Sequence, residues 1–185
     1  MRHLNKLLTL LTDKQFWLSN LKTLALMLVI AASITFYQQR TMVSGPAPAL
    51  SALTTQGDAV DLAAQNNTLP TLIYFWASWC SVCKTTSPAI TNLAQENADG
   101  SADKAYNIIS VALSSGSDEE INAYLTQQEY QFDAINDDNG QISKAWGVAV
   151  TPSLFIIDSS GDISFKSTGI TSLWGMKVRL WLASL

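Results

Sequence analysis

The feature that most constrains the chain is an apolar run, Leu72-Ile73-Tyr74-Phe75-Trp76, ending just before its only two cysteines in Trp79-Cys80-Ser81-Val82-Cys83. A continuous apolar run of this length reads as a strand buried on both faces. A strand feeding a helix at about Cys80 puts the first cysteine at the helix N-terminus. Unpaired N–H groups and the positive dipole end favour thiolate over thiol there. The i, i+3 spacing turns both side chains onto one face of the first turn, within reach of a disulfide. The sequence therefore offers a switchable dithiol.

Hydrophobic residues make up 48% of the chain and charged residues 14%, more apolar than an average soluble domain. The excess is local. Thr23 to Gln39 carries no charge and is flanked by Lys22 and Arg40. As a helix it spans roughly 25 Å, slightly short of a ~30 Å hydrocarbon core, and snorkelling of the two flanking side chains covers the shortfall. Arg2, Lys6, Lys14 and Lys22 outnumber Asp13 on the N-terminal side. Residues 1–22 are thus expected as a cytoplasmic tail and 23–39 as a single-pass anchor in a bacterial inner membrane, with the C-terminal domain in the periplasm. A cleaved signal peptide with Ala47-Pro48-Ala49 as its site fits less well, because its n-region is overlong and the site lies well past the apolar stretch. Leu4, Leu7, Leu8 and Leu11 have the spacing of a short interfacial helix. From Thr41 onward there are fourteen acidic and six basic residues, a net of −8, which excludes a nucleic-acid partner.

Residues 40–49, with Ser44-Gly45-Pro46-Ala47-Pro48-Ala49, read as a stiff linker, and 50–185 as one domain. A small hairpin is expected over Leu50–Thr54 and Ala59–Leu62, then a strand over Thr71–Trp76 and a helix from about Cys80 to Asn97. A second buried strand covers Asn107–Leu113. Ser117 and Glu120 have the form of a capping box, opening a helix with Ile121, Tyr124 and Leu125 on its apolar side. Tyr130–Ile135 is expected as a strand, and a short helix ends near Trp146-Gly147. Ser153–Asp158 and Ile163–Ser167 form a hairpin. The last helix runs from Ser172 with Trp174, Val178, Trp181 and Leu185 on one side. Strands and helices alternating in this way define a mixed α/β sandwich.

The chain resembles the thioredoxin superfamily, and within it the membrane-anchored TlpA-like branch of bacterial thiol–disulfide proteins. Two stretches carry the resemblance. One is Tyr74-Phe75-Trp76-Ala77-Ser78-Trp79-Cys80-Ser81-Val82-Cys83-Lys84 with Pro88, and the other is Trp146 to Asp158, including Thr151-Pro152, with Gly161 and Gly169 beyond. The Tyr-Phe-Trp opening and the Ser-Pro after the cysteines are most similar to ScsD-type proteins, which are linked to copper tolerance. The resemblance implies an α/β thioredoxin-like mixed sheet flanked by helices. It makes Cys80 the exposed nucleophile, Cys83 the buried resolving thiol and Pro152 a cis-proline facing them, with Thr151 offering backbone groups to a substrate. Pro88 would kink the active-site helix. One position departs from the pattern. Cytoplasmic thioredoxins carry a buried aspartate where this chain has Tyr74, leaving water or Tyr74 itself to handle the proton.

Thiol–disulfide exchange needs a thiolate to attack a sulfur and a second thiol to release the mixed disulfide, and Cys80 and Cys83 supply both. A one-chain zinc site is excluded, because the only histidine is His3, across the membrane. Haem attachment fails on Lys84, where a histidine would be needed. A papain-like nucleophile lacks its histidine base. A peroxiredoxin-type peroxidase generally has Thr or Ser where Ala77 stands. Cu(I) binding by the two thiolates is the competing reading, although Ser78 stands where copper chaperones usually place methionine. A thioredoxin-like scaffold with incidental cysteines is a third. Lys84 reads as a solvated surface residue, Trp79 as part of the substrate surface, and Trp76, Trp146, Trp174 and Trp181 as packing. The expected partners are protein thiol or disulfide substrates and a membrane electron donor of the DsbD or ScsB kind. Neither a metal nor a cofactor beyond the dithiol is expected.

Overall fold

The computed structural model describes residues 14–65, 69–102 and 105–185 and divides the chain into two units, one ending at Arg40 and the other running from Thr41 to Leu185. The first unit is helix α1 (Lys14–Gln39), in which Asn20–Gln39 is long and apolar enough to cross a membrane. The Ser33 and Thr35 hydroxyls donate to carbonyls four residues back, so neither needs an outside partner. The interfacial helix expected around Leu4–Leu11 lies outside the described residues.

The second unit is built on a six-stranded mixed sheet. Its strands are β1 (Gly45–Pro46), β4 (Thr71–Trp76), β5 (Asn107–Leu113), β6 (Ile135–Asp137), β7 (Ser153–Ile157) and β8 (Asp162–Thr168), in the spatial order β1-β8-β7-β4-β5-β6. Strand β4 is central, parallel to β5 and antiparallel to β7. A separate hairpin pairs β2 (Ser51–Leu53) with β3 (Ala59–Asp61), followed by a single turn, α2 (Leu62–Gln65). The longer helices are α3 (Cys83–Ala98), α4 (Asp118–Gln127) and α6 (Leu173–Ala183), with a short α5 (Gln141–Ala145) between β6 and β7.

Every residue of β4 is buried, and its pleat divides the core in two. Leu72, Tyr74 and Trp76 join Ile90, Leu93, Ile121, Met176 and Leu180 on the side of α3 and α6. Ile73 and Phe75 join Trp146, Phe155 and Ile157 on the other. Helix α4 opens with the expected capping box, Ser117 and Glu120 each bonding the other's backbone N–H. Helix α5 is held by a buried carboxylate, Asp137, which accepts from the Ile142 and Ser143 amides and the Ser143 hydroxyl.

Three expectations need correction. The supposed linker is docked. Met42 is buried with Val43 and Ala47 packed against the same core, β1 pairs with β8, and the Lys166 ammonium donates to the Met42 carbonyl and Ser44 hydroxyl. Proline and glycine kept this segment extended, and extended backbone is what a sheet edge can pair with. The strand expected over Tyr130–Ile135 begins only at Ile135; Tyr130 and Phe132 stack together and Phe132 meets Trp76 edge-on, so aromatic packing and not ladder pairing explains their alternation. In α6, Met176, Leu180 and Ala183 face the sheet, while Trp174 and Trp181, expected as packing, are 76% and 49% exposed. The helix is apolar nearly all round, so periodicity alone could not select its inner stripe.

Gly147 sits at φ +65°, and a Cβ there would overlap the Thr41 carbonyl. Gly147→Ala is expected to destabilise the domain by about 1–3 kcal/mol from backbone strain alone, more with the overlap. Denaturant melting of the full chain in detergent checks this, and an unchanged midpoint would contradict it.

Candidate active site

Strand β4 delivers the chain to the site. After Trp76 the backbone turns through Ala77–Trp79, with the Cys80 N–H donating to the Ala77 carbonyl at 3.2 Å. Helix α3 begins at Cys83, not Cys80 as expected; Cys80 lies in the turn before it, its carbonyl accepting from the Cys83 N–H at 3.1 Å. The Cys83 N–H also points at Cys80 Sγ, 3.1 Å away, a donor that stabilises negative charge on that sulfur.

The two cysteines are joined as a disulfide, with Cα atoms 5.3 Å apart. Cys83 is 1% exposed and Cys80 only 6%. The ranking follows expectation, but the reach of Cys80 to solvent is narrower than "exposed nucleophile" implies. The reason is the wall opposite. The Thr151–Pro152 peptide is cis, and the Thr151 carbonyl oxygen lies 3.5 Å from Cys80 Sγ. Sheet register brings these together, because Phe75 near the end of β4 pairs with Ser153 at the start of β7. The Ser153 hydroxyl closes the loop on the Val150 carbonyl, and the Gly169 N–H donates to the Pro152 carbonyl.

Trp79 is 63% exposed, with its indole N–H donating to the Ser114 carbonyl at 3.0 Å. The Ser78 N–H donates to the Ser115 hydroxyl, which donates in turn to the Leu113 carbonyl. The turn after β5 thus clamps the approach to the cysteines, with Ser114 in the left-handed region at φ 43°. Val82 and Ile170 are also exposed, and Ile170 follows the glycine bonded to Pro152, so the rim around the sulfur is apolar. Sequence reasoning missed Ser114, Ser115, Val82 and Ile170. The Ser-Ser-Gly after a buried strand was a usable turn signal, whereas a single isoleucine in a loop carries none.

Trp76 is core, its indole N–H donating to Ser110 and its ring stacked on Tyr124. Lys84 is exposed. Pro88 sits inside α3 and removes one helical N–H. Beneath Cys83, the Tyr74 phenol donates to the Cys83 carbonyl at 3.5 Å and lies 2.9 Å from the Ser87 hydroxyl. Burial drives its pKa far above the ordinary 10.0.

These features define a thioredoxin-fold protein with a redox-capable cysteine pair at a helix N-terminus, faced by a cis-proline. The chain belongs to the AhpC/TSA family, whose model matches residues 43–166. It is similar to a thioredoxin-like protein of Haemophilus influenzae, 36% identical over 90% of this chain and 94% of that one. It is also similar to the thiol:disulfide interchange protein DsbE of Pseudomonas fluorescens, 29% identical over 70% and 68% of the two chains. Among solved structures, a thioredoxin-family thiol:disulfide interchange protein from Chlorobium tepidum shares the fold with a TM-score of 0.64 at 19% identity, covering 77% of this chain and 98% of that one. The protein is a thiol–disulfide oxidoreductase of this thioredoxin-like class.

The buried Tyr74 gives a pH dependence of definite sign. Its folded-state pKa is raised, so the unfolded chain loses this proton first, and stability present below pH 10.0 is lost as pH rises beyond it. The Tyr74 share of that slope is at most about 1.4 kcal/mol per pH unit. Denaturant titrations across the alkaline range are expected to show the fall, and Tyr74→Phe should flatten it. An equal slope in the variant would refute the assignment.

Proposed function

We propose that the protein is a membrane-anchored oxidoreductase that exchanges disulfides with protein substrates on the periplasmic side of a bacterial inner membrane. Residues 1–22 form the cytoplasmic tail and the apolar part of α1 is the anchor. The single observation that carries the chemistry is the Cys83 N–H directed at Cys80 Sγ, at the start of α3 and opposite the Thr151 carbonyl. It favours Cys80 as the thiolate that attacks, and leaves the less accessible Cys83 to resolve.

In the reductive direction, Cys80 Sγ⁻ attacks a substrate disulfide and one substrate sulfur leaves as thiolate. Cys83 then attacks Cys80, the mixed disulfide breaks, and the second substrate sulfur departs with its electrons. Two electrons pass from the dithiol to the substrate, and a membrane donor of the DsbD or ScsB kind restores them. Trp79, Thr151 and Pro152 form the surface on which the substrate segment lies, the Thr151 backbone pairing with it as an added strand. The apolar stretch Asn20–Gln39 and the basic excess before it support the anchored topology.

Cys80→Ser is expected to reduce exchange to background, and Cys83→Ser to accumulate substrate proteins bound through Cys80, visible on non-reducing gels and released by dithiothreitol. Full exchange activity in Cys80→Ser would overturn the reading; stoichiometric Cu(I) binding by a protein with no exchange activity would move it to metal handling. Equilibration of the full chain with glutathione buffers sets the direction. A potential near about −270 mV marks a reductant, and one near about −120 mV refutes the reductive direction.

A further inference from the structure

A buried thiol that must lose its proton before attacking needs somewhere to send it. The core around Cys83 holds no carboxylate among the described residues; the polar groups there are hydroxyls. Tyr74, on β4, reaches the Cys83 carbonyl and the Ser87 hydroxyl. Ser87 stands one helical turn beyond Cys83 and is itself buried. The loop after α4 lies against α3, where the Gln131 N–H donates to the Thr91 hydroxyl one turn beyond Ser87, and Tyr130 in that loop is only partly buried. Thr86, also one turn beyond Cys83, is buried with its hydroxyl unpartnered in the disulfide form. The other titratable groups near Tyr74 are Tyr124 of α4 and Tyr130; Lys84 of α3 is in solvent.

We propose that Tyr74 and Ser87 are positioning residues that conduct the Cys83 proton to Tyr130 and solvent, so that resolution runs through hydroxyls alone. The inference rests on the assignment of Cys83 as the resolving thiol. Reduction frees Cys83 Sγ, and the Tyr74 O–H turns from the carbonyl of that residue to the Ser87 hydroxyl, leaving Tyr74 Oη to accept from the Cys83 S–H. In the resolving step the Cys83 S–H proton passes to Tyr74 Oη as the Tyr74 proton moves to Ser87, the Ser87 proton to Tyr130 and the Tyr130 proton to water. Each hydroxyl ends neutral. Cys83 Sγ bonds to Cys80 Sγ, the bond from Cys80 to the substrate sulfur breaks, and that sulfur leaves with the electron pair and takes a proton from water. Burial disfavours a Tyr74 phenolate, so the phenol passes the proton on and does not store it.

The reduced full chain in detergent, mixed with 5,5′-dithiobis(2-nitrobenzoate), separates the two steps. Attack by Cys80 releases one thionitrobenzoate, and resolution by Cys83 releases the second. Tyr74→Phe and Ser87→Ala are expected to leave the first phase within about twofold and to slow the second by about tenfold to a hundredfold. The double variant should be no slower than the slower single one, because a chain is broken once. The solvent deuterium isotope effect on the second phase should shrink in Tyr74→Phe. Resolution at the parent rate in both single variants overturns the relay, as does slowing of both phases together or additive slowing in the double variant. Cys83→Ser separates the two levels of failure. If it still gives a second phase, the resolving assignment itself is wrong; if it lacks one while Tyr74→Phe is normal, only the relay is.

Discussion

Burial of β4 on both faces is the constraint from which the rest of the domain follows. With no solvent on either side, its backbone groups must pair with strands on both edges, and its side chains must be covered by helices above and below. Pairing with β5 on one edge and β7 on the other then fixes where each neighbouring strand begins and ends. The cysteines lie just past the end of β4, and the Thr151–Pro152 loop lies just before the start of its neighbour. Their meeting is a consequence of sheet register, not of any attraction between them. The same register sets Ser115 beside Ser78, since β5 ends where β4 ends.

The site contrasts with the domain that carries it. The domain carries a strong acidic excess, yet the groups that meet Cys80 Sγ are backbone ones, the Cys83 amide and the Thr151 carbonyl, and the side chain that reaches the Cys83 carbonyl is a neutral phenol. Backbone donors suit such a site because their position is set by the helix and does not depend on protonation. They place a donor at Cys80 Sγ without introducing a titratable neighbour, and Cys83 stays buried.

Much of this was legible in the sequence, and the reasons differ by element. The Leu72–Trp76 run announced itself because a strand covered on both faces has no polar phase to confuse it. The Ser117–Glu120 box was legible because capping is local chemistry, closed within four residues. The cysteine pair and the Thr151-Pro152 dipeptide were legible as motifs, but their juxtaposition came only through the family resemblance, because no local pattern carries a property of the sheet. The failures also have physical causes. Composition marked 40–49 as extended without revealing that Met42, Val43 and Ala47 pack against the domain core, since docking depends on what lies opposite. In α6, tryptophan, leucine and methionine occupy almost every side, so two rival stripes fit the period equally, and the one with the larger rings faced outwards. Alternation at Tyr130 and Phe132 imitated a strand because aromatic stacking along extended backbone also repeats every second residue.

The narrow opening over Cys80 restricts what can react there. A cysteine 6% exposed, with the Thr151 carbonyl against its sulfur, cannot be approached by a bulky folded surface without that surface entering the cleft. The rim offers Trp79, Val82 and Ile170, exposed apolar side chains that gain by being covered. An extended, apolar segment flanking a substrate cysteine meets both demands: it is thin enough to lie along the cis-proline loop, and it covers the rim as it does so. A compact protein with its disulfide locked inside regular structure meets neither. Under the proposed exchange with protein substrates, selectivity would arise before any electron moves, from the difference between a chain that can be threaded past Trp79 and one that cannot. The clamp of Ser114 on the Trp79 indole keeps that barrier in place by holding a large exposed ring in one position at little further entropic cost.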